Sequence, residues 1–547
     1  MAKEKKKPTM GPVRQNLEAF GVAILAAVLL KWFCIEAFQI PTSSMQPTLM
    51  GSNEAGVYDR IIVDKIIQTF REPKRWDITV FKYPLQKNQN YVKRIGGMPG
   101  DRLLIAGGNL YQVKDVDGKR GYETIRKPDD LQQQMWKDVY PGRRIARAET
   151  KALGTIFAAS PSSAASEDEG GFVLALTGNP VRLFFRDEAE GGMIDRVWDG
   201  YPEAVARAMR ERTPLTTPQE IVPDVRIGAE VTAEQVPEQL SLEIEVRRPD
   251  ADTWTYALAL KNGTAELQVK KGNEVLARSP EFAFTLAAGA ATGIGVAHVD
   301  DQLVAWRDGD EVQRFDSSAF AIRSGCELPL DEGHLPTGND GRLKLPGNQG
   351  VTPQFVVKGK GKVRFDEVRI DRDQHYTRLG APEIIEVPEG HYYMLGDNTL
   401  QSIDSRGWTA ITIYVDDQGN VVPPATPGAR AIRGNKRAMP LDRSPDRDET
   451  PIALPDQRAI VMIDEYGEIH RFHANISSDW GRRIAFLPDG AQDGRGEWTA
   501  IDTTNTKGIS FVPREDIQGR ALLVFYPSRP LSWLFGSNWP GRFGFVR

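Results

Sequence analysis

Ser44 and Lys93 are the residues of this chain whose types and surroundings point to covalent chemistry. Ser44 lies in Ile40-Pro41-Thr42-Ser43-Ser44-Met45-Gln46-Pro47-Thr48-Leu49, which follows almost directly on an apolar run. A serine hydroxyl is a weak nucleophile until a base takes its proton. Histidine is the usual base, but none precedes His298. A lysine can serve once it is neutral, and since its ordinary pKa is about 10.4 this requires burial among apolar groups. Lys93 sits in Tyr91-Val92-Lys93-Arg94-Ile95-Gly96-Gly97-Met98-Pro99-Gly100-Asp101-Arg102, beside Tyr91, Val92 and Ile95. A Ser–Lys pair is a variant of the serine triad, so the two together suggest acyl transfer. Taken singly they carry little, because most serines are turn residues and most lysines are solvated.

The elements that must position this pair begin with the apolar run from Leu17 to about Ile35. It is preceded by Lys3, Lys5, Lys6, Lys7 and Arg14. As a helix rising about 1.5 Å per residue, the run just matches a hydrocarbon core of roughly 30 Å. Trp32, Phe33 and Phe38 suit an interfacial belt, and the basic side is expected to stay in the cytoplasm. The reading is a single-pass helix over 16–35 after a cytoplasmic tail at 1–15. A cleaved signal peptide fits less well, because Glu36-Ala37-Phe38 is a poor small-x-small site.

At 547 residues the chain is too long for one ordinary core. Its net charge of -5 gives no electrostatic case for nucleic acid. Cys34 and Cys326 are too far apart in the sequence to suggest a disulfide. After the apolar run, Tyr58 to Lys65 and Trp76 to Phe81 read as strands. From about residue 106 the character changes. Leu240, Leu242, Ile244 and Val246 alternate with polar residues, and Tyr256–Leu260, Asn262-Gly263 and Leu267–Val269 read as a hairpin. Such strands predict a β-sandwich at about 235–373. The stretch 409–507 reads partly as loop, above all from Val421 to Asp456. Trp533, Leu534, Phe535, Trp539, Phe543 and Phe545 make the tail aromatic, fit for core packing or for the outer leaflet.

Taken together and in order, the blocks resemble bacterial type I signal peptidases, the membrane-anchored leader peptidases with a Ser–Lys dyad. Residues 36–50 resemble the nucleophile block, with Ser44 at the catalytic position. Residues 75–82 resemble its Arg-Gly-Asp-Ile-Val-Val-Phe strand, with Trp76 in place of glycine. Residues 91–103 resemble the block of the general-base lysine, at Lys93. Residues 396–406, Gly-Asp-Asn-Thr-Leu-Gln-Ser-Ile-Asp-Ser-Arg, resemble a further block in which Thr399 and Leu400 replace an arginine and an aspartate. Residues 511–521 resemble the closing strand.

The resemblance implies that Ser44 attacks the scissile carbonyl and that Lys93 acts as base and acid. It implies an oxyanion hole from the Ser44 N–H and the Thr42 hydroxyl, and Ser402 as the residue that orients the lysine. Asp397, Asp404 and Arg406 match the bracing network; for Asp397 a structural turn is an equal reading. Shallow pockets for Ala-x-Ala sites would be walled by Phe38, Ile40, Met45, Leu49, Tyr91 and Val92. The implied substrates are secretory preproteins, the implied surroundings a lipid bilayer and a secretion translocon. The implied location is the inner membrane, with the catalytic domain extracytoplasmic.

The expected architecture is mainly β: an N-terminal transmembrane helix, then an antiparallel catalytic domain interrupted by a large sandwich-like insert. The catalytic core falls at 36–105, 383–408 and 508–547, with insertions at 106–382 and 409–507. Lys362 to Ile370 looks like the closing strand of concanavalin- or laminin-G-like sandwiches. Trp254 and Trp306 could stack on sugars, while core packing is the commoner fate. His470 and His473 are too sparse for a metal site. No metal and no cofactor are expected. The competing reading is a membrane-anchored binding protein whose inactive peptidase core is a scaffold for the sandwich. A Ser–Lys self-cleaving repressor fits worse, for want of a DNA-binding segment.

Overall fold

The computed structural model describes residues 12–29, 34–52, 57–84, 86–116, 119–142, 151–168, 170–188, 192–196, 199–201, 220–247, 252–320, 350–378, 384–408 and 410–419. It also describes 422, 426–435, 452–454, 459–464, 466, 468–473, 501–502, 511–526 and 544–546. The basic N-terminus, Lys31, Trp32, Phe33, Cys326 and the tail from Trp533 to Phe543 lie outside the described residues. Two compact units emerge: residues 1–42, 50–95 and 409–547, and residues 43–49 and 96–408.

In the first unit a helix spans Pro12–Leu29. Its apolar side chains face outward on every side: Leu17, Phe20, Val22, Ile24 and Leu25 are each more than half exposed. The helix does not run to Ile35 as expected. The chain is already extended there, because Ile35–Gln39 pairs antiparallel with Arg60–Asp64. Among the described residues no helix is long and apolar enough to cross a membrane.

The sheet continues from Arg60–Asp64 through Ile517–Tyr526 and Ile78–Tyr83 to Gln86–Gly97. The most distant segment in sequence thus lies in the middle of this run of strands. Part of the stretch expected as loop is strand instead, since Arg430–Asn435 pairs with Ala410–Val415 and buries Ile432. His470 is bonded to Asp464 at 2.8 Å. Asp464 also accepts the backbone N–H groups of Tyr466 and Glu468, so it ties a turn.

The second unit is dominated by two sheets, each of eight described strands, whose facing side chains fill one core. The expected alternation holds in Gln239–Arg247, where Leu240, Leu242, Ile244 and Val246 are all buried. The hairpin joins Thr253–Lys261 to Thr264–Lys271, with Asn262 at φ 54 and Gly263 at φ 83. Both central residues of this two-residue turn take positive φ, which Asn-Gly tolerates best. The 13-residue strand Lys360–Arg372, which holds the Lys362 to Ile370 motif, lies between Gly171–Thr177 and Val225–Ala233. The two sheets begin before residue 235: Lys137–Tyr140, Phe157–Ser160, Ala165–Asp168, Gly171–Thr177 and Val181–Phe185 all join them.

The second unit also holds a buried charge cluster. Lys127 Nζ lies 2.6 Å from Asp300 and 2.8 Å from Asp373, all three buried. Asp224, Asp300 and Asp373 bring carboxylate oxygens within 4.8 Å of one another, a spacing a metal ion could use. The Lys127 ammonium pairs with two of the three, so a cation already sits among them.

Candidate active site

The serine turn belongs to the second unit. Ser43–Met45 forms a single 3-10 turn in which Ser44 is 9% exposed and Met45 wholly buried. The turn is gripped by the block that begins at Gly396. The Asn398 N–H donates to the Ser44 carbonyl at 3.1 Å. The Asn398 side chain donates to the Ser43 carbonyl at 3.0 Å. Thr48 donates its hydroxyl to Asp397 Oδ2 at 2.5 Å. Two blocks some 350 residues apart are therefore one local structure.

Gly396 shows how close the approach is. A Cβ there would lie 2.0 Å from Ser402 Oγ and 2.5 Å from the Ser44 carbonyl oxygen, so only glycine fits. Ser402 is itself buried, and its hydroxyl has no hydrogen-bond partner among the described residues. Asp404 accepts the Gly396 N–H at 2.8 Å and two bonds from the Arg406 guanidinium, at 2.8 and 2.6 Å. Burial opposes charge on Arg406, yet the Asp404 carboxylate holds its pKa above the ordinary value. Burial, then the Asp404 charge, pushes the Tyr393 phenol up, so it stays protonated beside the pair.

Sequence reasoning missed a second set of braces, drawn from the long insertion. Tyr201 donates its phenol to Gln46 Oε1 at 2.5 Å, two residues beyond Ser44. Lys137 and Gln374 both donate to the Asp397 carbonyl, at 3.2 and 2.8 Å. At the Thr399 and Leu400 positions, altered from the expected arginine and aspartate, the Thr399 carbonyl accepts from Arg406 at 3.4 Å. Among the described residues the insertion thus contributes Tyr201, Lys137 and Gln374 to the surroundings of the serine turn. No local pattern marks them, since their partners are 155, 260 and 23 residues away.

Lys137 carries a pH signature. Burial, then the nearby Arg372 charge, pushes its ammonium down to about 7. An unfolded lysine holds its proton to about pH 10.4, so above pH 7 the unfolded chain binds more protons and stability rises with pH. Below pH 7 the full cost of the buried charge stands. The unfolding midpoint of the native protein, measured against Lys137→Met, should rise from about pH 7 to about pH 9. A difference that stays flat across that window contradicts this environment for Lys137.

The first unit holds Lys93 and both ends of the serine loop. Lys93 is 3% exposed, on Gln86–Gly97 opposite the fully buried Thr79. Tyr91, Lys93 and Ile95 share one face of that strand. The Tyr91 ring stacks on Tyr83 at 4.2 Å. Arg94 is buried and donates to the Trp76 carbonyl at 2.9 Å. Trp76 has φ 74, which explains a glycine as the expected residue there. Asp59, wholly buried, accepts the Met50 N–H on its carboxylate and the Ile40 N–H on its carbonyl, so it fixes where the loop leaves and returns. Thr42 is exposed, and a Cβ on Gly51 would come within 2.6 Å of its carbonyl.

Of the expected pocket walls, Ile40, Met45 and Leu49 are buried, whereas Phe38, Tyr91 and Val92 keep exposed surface. The structure brings Ser44, Asp397 and Ser402 together in one unit, with Asp404 and Arg406 behind them. Thr42 and Lys93 are described in the other.

These blocks resemble those of a peptidase family. Residues 13–169 and 347–420 match the sequence pattern of the family described as signal peptidase, peptidase S26. The match contains Ser44, Lys93 and the 396–406 block, and it breaks off within the two-sheet body. The branch of that family which the chain resembles is the bacterial type I signal peptidase. It is 34% identical over 130 residues to signal peptidase I of Leptolyngbya laminosa, covering 22% of this chain and 59% of that one. It is 38% identical over 123 residues to signal peptidase I of Pseudomonas aeruginosa, covering 19% and 41%. The chain therefore spans between two-fifths and three-fifths of the length of these relatives. Among solved structures, carbohydrate binding module CBM66 from Bacillus subtilis aligns with 40% of this chain and 98% of its own. The TM-score is 0.23 and the identity 7%.

Proposed function

We propose that the chain is a membrane-attached endopeptidase that removes N-terminal signal peptides from exported preproteins, with Ser44 as nucleophile and Lys93 as general base. The observation that carries this reading is the grip of the 396–406 block on the Ser44 turn, with Gly396 against both the Ser44 carbonyl and Ser402.

The chemistry would run through an ester. Ser44 Oγ attacks the scissile carbonyl carbon while Lys93 takes its proton. The intermediate collapses, and the new N-terminus of the mature protein leaves with the proton from Lys93. Lys93 then draws a proton from water, which attacks the ester carbonyl; the bond to Ser44 Oγ breaks, Lys93 returns the proton to that oxygen, and the signal peptide leaves as a carboxylic acid. The Ser44 N–H and the Thr42 hydroxyl would hold the oxyanion, each donor worth about 100-fold or more in rate. Ser402 would orient Lys93, while Asp397, Asp404 and Arg406 hold the 396–406 block. The burial of Lys93 supports its use as a neutral base. The outward apolar side chains of Pro12–Leu29 support attachment to the inner membrane. We place the catalytic part on the outer side, where exported preproteins emerge, as the basic N-terminus suggests.

The test of specificity is a preprotein carrying an Ala-x-Ala site, incubated with the full-length protein in detergent. Cleavage after the second alanine is expected, with loss of cleavage when that alanine is replaced by leucine. Equal cleavage of both substrates would contradict a small-residue pocket.

A further inference from the structure

Away from the serine turn, the two-sheet body carries a groove of about 750 Å³ on the outer face of one sheet. That volume lies in the range of about 300–1,000 Å³ usual for ligand sites. Val225, Ile227, Ala229 and Val231 of Val225–Ala233 point into the core, so Arg226, Gly228 and Glu230 point outward. The register aligns a row across four strands: Arg369 opposite Gly228, Gly228 opposite Gly295, and Gly295 opposite Trp306. One step along, Glu230 faces Gly293. The centre of the groove therefore has no side chains, while Trp306 stands at one end of the row and Arg369 at the other.

Glycine inside a strand is unfavourable and often marks a close approach. At Gly295 the fold does not ask for it. Its backbone is not left-handed, and an added Cβ would meet nothing nearer than 3.5 Å. What a side chain would fill is the groove. Trp306, unlike the buried Trp254, keeps exposed surface and lies 3.7 Å from that Cβ position.

The polar groups around the floor are mixed in charge, and Arg226 is held in place. Arg226 donates to Asp371 at 2.9 and 2.8 Å and to Gln133 at 3.0 Å, and its guanidinium lies over the Trp136 ring at 4.9 Å. Glu367 projects from a bulge with φ 48. Glu230, Asp308 and Arg369 complete the rim.

We propose that this groove binds a short neutral oligosaccharide. The apolar face of a sugar ring would lie on Trp306 and the glycine floor. Its hydroxyls, which both donate and accept, suit a rim of carboxylates and guanidinium groups. An anionic glycan is disfavoured, because carboxylates outnumber guanidinium groups and Arg226 is already paired. An extended peptide has no ladder to join here, because Val225–Ala233 is paired on both sides. This site is separate from the peptidase reading and stands without it.

The test is binding of the full-length protein in detergent to an immobilised panel of neutral and acidic oligosaccharides, with native protein, Trp306→Ala and Gly295→Val. Retention of at least one neutral oligosaccharide is expected, weakened at least tenfold in both variants, with their unfolding midpoints retained. Trp306→Ala keeps the test decisive if Gly295→Val fails to fold. Retention of acidic members alone, of none, or equally by native protein and Trp306→Ala overturns the proposal.

Discussion

Ser44→Ala and Lys93→Met are each expected to abolish detectable preprotein cleavage while the protein folds as before. On the proposed mechanism the first removes the hydroxyl oxygen that would form the ester. The second replaces an amine by a thioether of similar length, so the buried strand position stays filled but nothing takes the serine proton. Loss of either member of such a unit costs about as much as loss of both, so the double variant should be no worse than either single one. The measurement is product formation under single-turnover conditions, with circular dichroism to check the fold. Substantial residual cleavage by Lys93→Met would move the base to another group.

Arg406→Met has the largest expected effect on stability. The Arg406 and Asp404 side chains are both wholly buried, and Asp404 also holds the Gly396 N–H. Removing the guanidinium leaves a carboxylate uncompensated in the interior, a loss of about 3–5 kcal/mol. The carbonyls of Thr377 and Thr399 also lose a donor. Thermal unfolding of the second unit should fall by roughly 5–10 °C. Hydrogen exchange should locate the loosening at Met394 to Asn398, the segment that grips the serine turn. An unchanged midpoint and unchanged exchange there would show that the pair does not brace the block.

The serine turn and the 396–406 block were legible because each is a dense local motif. What the sequence did not reveal was their support. Tyr201, Lys137 and Gln374 act across long sequence separations, and a tyrosine or glutamine in a mixed stretch carries no period or spacing that predicts its partner. Asp59 was hidden for a different reason. It reads as an ordinary strand-edge aspartate, and only its burial shows that it ties Ile40 and Met50 together.

The two sheets were legible where strands are long and alternate, as in Gln239–Arg247. They were not legible in Phe157–Ser160 or Ala165–Asp168. These are four residues each, rich in alanine and serine, and their neighbours Val181–Phe185 and Gly171–Thr177 pair in turn with strands beyond residue 349. The helix expected over 16–35 is observed over Pro12–Leu29, so it was placed too far along the chain, because hydropathy does not register that Ile35 pairs with Asp64. At Trp76 the sequence showed a departure without its reason. The positive φ there is a backbone property that an unexpected tryptophan conceals.

The most direct test of the account is to incubate detergent-solubilised native protein and Ser44→Ala with one Ala-x-Ala preprotein and read the product termini by mass spectrometry. A known leader peptidase is run in parallel. The account predicts a single new N-terminus immediately after the second alanine, from the native protein alone. Cleavage by Ser44→Ala at the same site, or no cleavage by native protein where the reference enzyme cuts, would contradict it.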